Sequence, residues 1–168
     1  MKRPDNLLYL VLVFLLQLVL SDYVHPGPYV LLTLLPFLIL HIPLSRSPHV
    51  VMLIAFALGL GVDVLSDGVP GLNAFAAVLS AAPRRFFYRI LVNSDRQDTT
   101  DVPRLREVGP AKFAKYLGAL TLLFVAAYVV LDCVSFRPAG FVLLKFAASA
   151  AASLLLGLLL AIPLGNRY

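Results

Sequence analysis

Apolar residues occur along this chain in long runs, separated by polar or Pro/Gly-rich breaks. The breaks leave six candidate membrane spans, at residues 6–21, 29–43, 49–66, 71–84, 115–134 and 139–164. A membrane-spanning helix takes about 20 apolar residues, so the second and fourth runs are short. The connections leave no room for a soluble domain. The pattern therefore predicts one all-α membrane domain over residues 1–168, with six transmembrane helices.

The composition favours the same class. Apolar residues make up 60% of the chain, and the mean hydropathy is +0.89. Soluble domains are about 45–50% apolar. Lys2 and Arg3 precede the first apolar run as in a secretory signal, but residues 21–25 form a poor cleavage site and a second apolar run follows at once. We therefore expect residues 6–21 to form a retained first helix.

Charge is divided unevenly between the two sets of alternating loops. Twelve of the 14 basic residues fall on one side of the predicted membrane, and only Arg137 and Lys145 fall on the other. The positive-inside rule places the strongly basic side in the cytoplasm. Both termini are then cytoplasmic, as an even number of spans requires.

Residues 93–112 form the only long polar stretch, which we expect to be a cytoplasmic loop. It is either a solvated loop near anionic headgroups or a segment that docks a partner. Four acidic residues dilute its positive charge, and it has no aromatic platform, so the pattern argues against nucleic-acid binding.

A basic and aromatic cluster precedes this loop. Arg84, Arg85 and Arg89 flank two phenylalanines and a tyrosine. That composition is typical of a membrane-interface anchor.

The last apolar run carries a row of small residues. Ser149, Ser153, Gly157 and Ala161 recur every four residues, so they share one face of a helix. Small side chains allow a neighbouring backbone to come close in a membrane. We expect this row to pack inside the bundle, with the leucine-rich side facing lipid or a partner.

Asp63 is the one acidic residue placed deep in a predicted span. An ionised carboxylate at the centre of a bilayer costs about 2.5–3.5 kcal/mol on insertion scales, so Asp63 needs a compensating interaction. Three alternatives are open. Asp63 pairs with a basic residue, or it caps a helix end with Asn73 across the break at residues 68–71, or it forms a proton or substrate site.

The depth of Lys145 favours the first alternative. At about 1.5 Å per residue, Asp63 lies roughly 21 Å from the cytoplasmic start of its span, and Lys145 roughly 9 Å below the exterior boundary. In a hydrocarbon core of about 30 Å these depths coincide. Both residues also continue the small-residue rows of their helices. We therefore expect an intramembrane Asp63–Lys145 ion pair.

Motifs of soluble enzymes are absent from the sequence. There is no HExxH, no GxSxG and no Walker glycine loop. The single cysteine, Cys133, can form neither an intrachain disulfide nor a cysteine-based metal site. We expect no enzymatic activity, no cofactor and no metal.

The run at residues 58–85 resembles the central signature of MreD, the rod shape-determining membrane protein family. That signature is a glycine-rich third helix, an aspartate, a small polar turn, and a glycine followed by an apolar helix that ends in arginine. Gly59, Asp63, Ser66, Gly68 and Gly71 occupy the matching positions. The longer loop at residues 93–112 departs from compact members of the family.

The resemblance implies a non-enzymatic scaffold of the cell-elongation machinery, which builds lateral peptidoglycan and maintains rod shape. It implies a bacterial inner-membrane location and a fold similar to the substrate-binding subunits of energy-coupling-factor transporters. The implied partners are MreC, RodA, a penicillin-binding transpeptidase and the MreB filament, together with membrane lipid. The fold similarity leaves an alternative open, a subunit that binds a vitamin-like small molecule for a membrane transporter.

Overall fold

The computed structural model describes residues 4–23, 30–66, 69–92, 108–132 and 139–166, and within these ranges the chain is helical without strands. The helices, in chain order, are α1 (Pro4–Tyr23), α2 (Leu35–Leu40), α3 (Pro48–Leu65), α4 (Leu72–Ala81), α5 (Arg84–Leu91), α6 (Pro110–Asp132) and α7 (Ala139–Asn166).

Three of the described helices are long and apolar enough to cross a membrane. Those segments are Pro48–Leu65, Pro110–Asp132 and Gly140–Ile162. The rise of a helix gives them lengths of about 27 to 35 Å, close to the thickness of a hydrocarbon core. The expected all-α fold is therefore confirmed, and these three helices have the length and composition of membrane-spanning helices.

The second predicted span is not a continuous helix. Residues 30–34 are non-helical, and α2 covers only the 6 residues Leu35–Leu40. Pro36 explains the late start, because proline has no N–H to donate and its ring collides with the carbonyl group four residues earlier. At the start of a helix neither problem arises, so α2 begins beside Pro36.

The fourth predicted span is also divided. α4 has 10 residues, and a turn at Ala82 and Pro83 separates it from α5. Arg84, which was expected at the end of the fourth span, is therefore the first residue of a separate helix.

The end of the predicted loop 93–112 also differs from the structure. α6 begins at Pro110, so the last three loop residues are helical. Residues 93–107 lie outside the described ranges.

The core lies where α2, α4 and α6 meet. Leu34, Phe37, Tyr116 and Phe124 are among its largest fully buried side chains. α3 and α4 form the most closely packed hairpin, and α6 packs against both α4 and α7. Large aliphatic side chains on α1 and α7 stay exposed, among them Leu8, Leu12, Leu155 and Leu159. In a bilayer these positions would be available to lipid or to a partner.

Candidate functional site

The site is centred on Asp63, near the C-terminal end of α3. Its side chain is 3% exposed. Oδ2 accepts hydrogen bonds from the backbone N–H groups of Gly71 at 2.9 Å and Ala74 at 3.1 Å. Oδ1 accepts two from Asn73, one from its backbone N–H at 3.1 Å and one from Nδ2 at 2.9 Å. Asp63 therefore holds the first turn of α4.

This arrangement solves two problems of a membrane interior at once. The first N–H groups of a helix have no partner within the helix, and Asp63 accepts from three of them. The positive end of the α4 dipole in turn favours the negative carboxylate. A carboxylate offers about four acceptor positions, and all four are used here. No acceptor position on Asp63 is left for a substrate.

Close contact between α3 and α4 depends on Gly59. A Cβ atom at this position would lie 2.5 Å from the Cα atom of Ala74 and 2.6 Å from the carbonyl oxygen of Asn73. Gly71 supplies the left-handed turn before α4, with φ of 97°. Only glycine adopts that conformation without strain. The two glycines of the motif thus bring the α4 amides within reach of Asp63.

Ser66 follows α3 and is buried. Its hydroxyl donates to the carbonyl oxygen of Val62 and accepts a hydrogen bond from Ser21 Oγ at 3.2 Å, which joins the ends of α1 and α3. Of the five motif residues, Gly68 lies outside the described ranges.

The expected Asp63–Lys145 pair is not formed. Lys145 Nζ lies 2.6 Å from Asp132 Oδ2, at the end of α6. Lys145 therefore pairs with the end of α6, whereas the Asp63 acceptors are already occupied by α4. Asp132 was not singled out from the sequence, although an acidic residue at the end of one apolar run and a lysine early in the next is the pattern of such a hairpin pair.

The row of small residues on α7 is buried. It allows close packing, and its two serines also accept backbone hydrogen bonds. Ser149 Oγ accepts from Leu31 N–H at 2.8 Å, and Ser153 Oγ accepts from Thr33 N–H at 3.0 Å. Both partners lie in the non-helical residues 30–34. Further along the row, Gly157 packs on α6, where an added Cβ would meet Leu117 Cδ2 at 2.9 Å. Ala161 is 2% exposed.

Two further amides, at the start of α2, also bind side chains. Leu34 N–H donates to Gln17 Oε1 at 2.5 Å, and Leu35 N–H donates to Thr33 Oγ1 at 3.3 Å. Irregular backbone at membrane depth is tolerated only where protein or water satisfies its polar groups. Gln17, Thr33 and the two α7 serines fill that role here. We call residues 30–34 with these four side chains the polar seam.

The prediction that Arg84 anchors the chain at the membrane interface is wrong. It is 1% exposed, and its guanidinium donates to the carbonyl oxygens of Ile39 at 2.6 Å and Pro43 at 2.7 Å. These carbonyls belong to the C-terminal end of α2 and the following turn, where helix carbonyls lack partners. Arg84 is therefore too buried to meet lipid headgroups, whereas Arg85 and Arg89 are exposed.

Within the described ranges, no group of three or more His, Cys, Asp or Glu side chains could hold a metal ion. The comparisons with known proteins add no relative. The chain matches no protein-family model, no curated protein and no solved structure. The function proposed below therefore rests on the sequence motif and the geometry of the chain.

Proposed function

We propose that this chain is a non-enzymatic membrane scaffold of the bacterial cell-elongation machinery, similar to the MreD family. The observation that carries the proposal is that Asp63 bonds to the start of α4. This residue is the deepest acid of the sequence motif, and its two oxygens accept four hydrogen bonds from α4. Because this carboxylate holds two helices together, it supports a structural role rather than proton or substrate transfer.

The proposed topology has six crossings with both termini in the cytoplasm of the inner membrane. Residues 30–40 supply a crossing without a long helix. The five non-helical residues add at most about 3.3 Å each and the six helical residues about 1.5 Å each, so this crossing reaches at most roughly 25 Å. The described basic residues Arg46, Arg85 and Lys112 lie near the starts of α3 and α6, and the acids Asp63 and Asp132 lie near the ends of the same helices. This polarity supports a cytoplasmic start for both helices.

The proposed partners are MreC, RodA and the penicillin-binding transpeptidase within the membrane, and MreB on the cytoplasmic side. The exposed aliphatic faces of α1 and α7 offer the large apolar area that contacts lipid and membrane partners. The basic end of the bundle is the face available to a cytoplasmic filament.

A second candidate function rests on the polar seam. Interrupted helices often line the substrate sites of transporters. The seam's Ser149, Ser153 and Gln17 already bond to the backbone of residues 31–34, which weakens this alternative. If the chain is a vitamin-binding subunit, a small molecule must displace those bonds.

Isolation of the tagged chain from native bacterial membranes tests the two functions together. The scaffold predicts that MreC and peptidoglycan-building enzymes co-purify, above the level found with an unrelated tagged six-span protein. Extraction and mass spectrometry of the same sample should then find no stoichiometric small molecule. An energy-coupling ATPase among the bound proteins, with a retained small molecule, would favour the transporter subunit instead.

A further inference from the structure

The short helix α5 presents both charge and apolar surface on its outward side. Arg85, Phe86, Arg89 and Ile90 are all exposed, and their spacing places them on adjoining turns of one face. Phe86 and Ile90 are each 63% exposed. The opposite face packs against the core through Phe87, Tyr88 and Leu91. We call the four exposed residues the α5 face.

Among the described residues, no acid lies beside the α5 face to compensate its charge. The described part of the chain supplies no hydrogen-bond or ion-pair partner for Arg89. Arg85 donates to the carbonyl oxygens of Leu44 at 2.9 Å and Arg46 at 2.7 Å, which brings the exposed Arg46 beside α5. The described carboxylates of Asp22, Asp63 and Asp132 belong to the far ends of α1, α3 and α6.

The face is also held in place. Arg84 and Arg85 tie the first turn of α5 to the backbone between Ile39 and Arg46 through four hydrogen bonds. Lys112 Nζ donates to the carbonyl oxygen of Val92, just after the end of α5, at 3.2 Å. A surface fixed at both ends loses little conformational freedom when it binds.

We propose that the α5 face binds the headgroups of anionic phospholipids, with Arg89 as the phosphate-binding group and Phe86 and Ile90 inserted among the acyl chains. A guanidinium matches the geometry of a phosphate, which accepts two parallel hydrogen bonds. Amphipathic helices with a basic polar side and a large apolar side lie at the boundary of headgroups and acyl chains. An anionic leaflet supplies phosphate at the depth of Arg89 and hydrocarbon at the depth of Phe86 and Ile90. The inference does not rest on the scaffold function.

A tryptophan probe tests the proposal directly, because the chain has no Trp of its own. The variant Phe86→Trp is reconstituted as the full chain in vesicles with equal amounts of phosphatidylglycerol and phosphatidylcholine. In one sample the phosphatidylglycerol carries brominated acyl chains, which quench nearby tryptophan, and in the other the phosphatidylcholine does. Leu159→Trp on α7, a position 62% exposed on an aliphatic face, is the matched control.

We expect brominated phosphatidylglycerol to quench Phe86→Trp more strongly than brominated phosphatidylcholine, and both lipids to quench Leu159→Trp equally. Adding Arg89→Gln to Phe86→Trp should abolish the preference, which we expect to be roughly fivefold, since a basic side chain near an anionic surface contributes about 1 kcal/mol. Equal quenching at Phe86→Trp, a preference that survives Arg89→Gln, or unquenched emission typical of water would each overturn the proposal. The last result would indicate that the face contacts solvent or a protein instead.

Discussion

Five buried polar side chains bond to main-chain atoms of a neighbouring segment: Gln17, Asp63, Arg84, Ser149 and Ser153. Each satisfies an N–H or C=O group that a helix end or a non-helical segment leaves unpaired. The sequence identified Asp63 as a residue in need of a partner, and it left capping open as an alternative. Matching depths favoured Lys145, and that prediction was wrong because depth along a helix does not specify which neighbour lies alongside.

Gly59 provides the sharpest test at this scale, because the two glycines of the Gly59-Leu60-Gly61 run lie in different surroundings. We expect Gly59→Ala to lower the free energy of unfolding by about 3 kcal/mol, the upper part of the range for overpacking, because its Cβ would collide with backbone atoms of α4. An added Cβ at Gly61 meets only the side chain of Phe14, at 3.1 Å. Gly61→Ala should therefore cost much less.

Chemical denaturation in detergent micelles measures both variants. Equal losses for the two glycines would contradict the close approach of α3 to α4. A stable Gly59→Ala variant would contradict it as well.

At the element scale, the second and fourth apolar runs are where the structure departs from uniform spanning helices. Their shortness was visible in the sequence, and Pro36 and Pro83 mark where helix is interrupted. The bonds that compensate for the break at residues 30–34 were not predictable, because they come from α1 and α7, more than a hundred residues away in the latter case. The small-residue row was predicted from spacing alone, whereas the role of its serine hydroxyls required the fold.

The polar seam predicts a difference between two buried hydroxyls. Ser153→Ala leaves the N–H of Thr33 without its partner in an apolar interior, which should cost about 1–3 kcal/mol. Thr121→Val removes a hydroxyl that only bonds back to Leu117 within α6, so we expect a loss below roughly 0.6 kcal/mol. Unfolding free energies in the same detergent make the comparison. Equal losses would show that the α7 serines contribute no more than an intrahelical hydroxyl.

At the scale of the whole molecule, charge and hydropathy were sufficient to predict an all-α membrane protein. The same data predicted that the basic residues collect at one end of the bundle. Arg85 bonds to the backbone of Arg46, and Lys112 bonds to the backbone just after α5, so these basic residues lie on neighbouring segments. The count of crossings depends on irregular segments, so hydropathy alone does not decide it.

Cysteine labelling tests the proposed orientation. In a Cys133→Ser background, the exposed positions Ser45 and Val69 are changed singly to cysteine. A membrane-impermeant maleimide added to intact cells lacking an outer membrane should label Val69→Cys but not Ser45→Cys, and lysis should expose the latter. The reverse pattern would invert the topology, and external labelling of both would remove one crossing between them.

The central claim is that Asp63 holds α4 in place and is not the partner of Lys145. The direct measurement is a double-mutant cycle on unfolding free energy in detergent. Asp63→Leu should lose roughly 3–5 kcal/mol, because several buried donors lose a charged acceptor. Adding Lys145→Met should not restore it, so the two losses add to within about 0.5 kcal/mol. Recovery in the double variant would re-establish the Asp63–Lys145 pair, and a stable Asp63→Leu variant would return Asp63 to the residues available for a ligand.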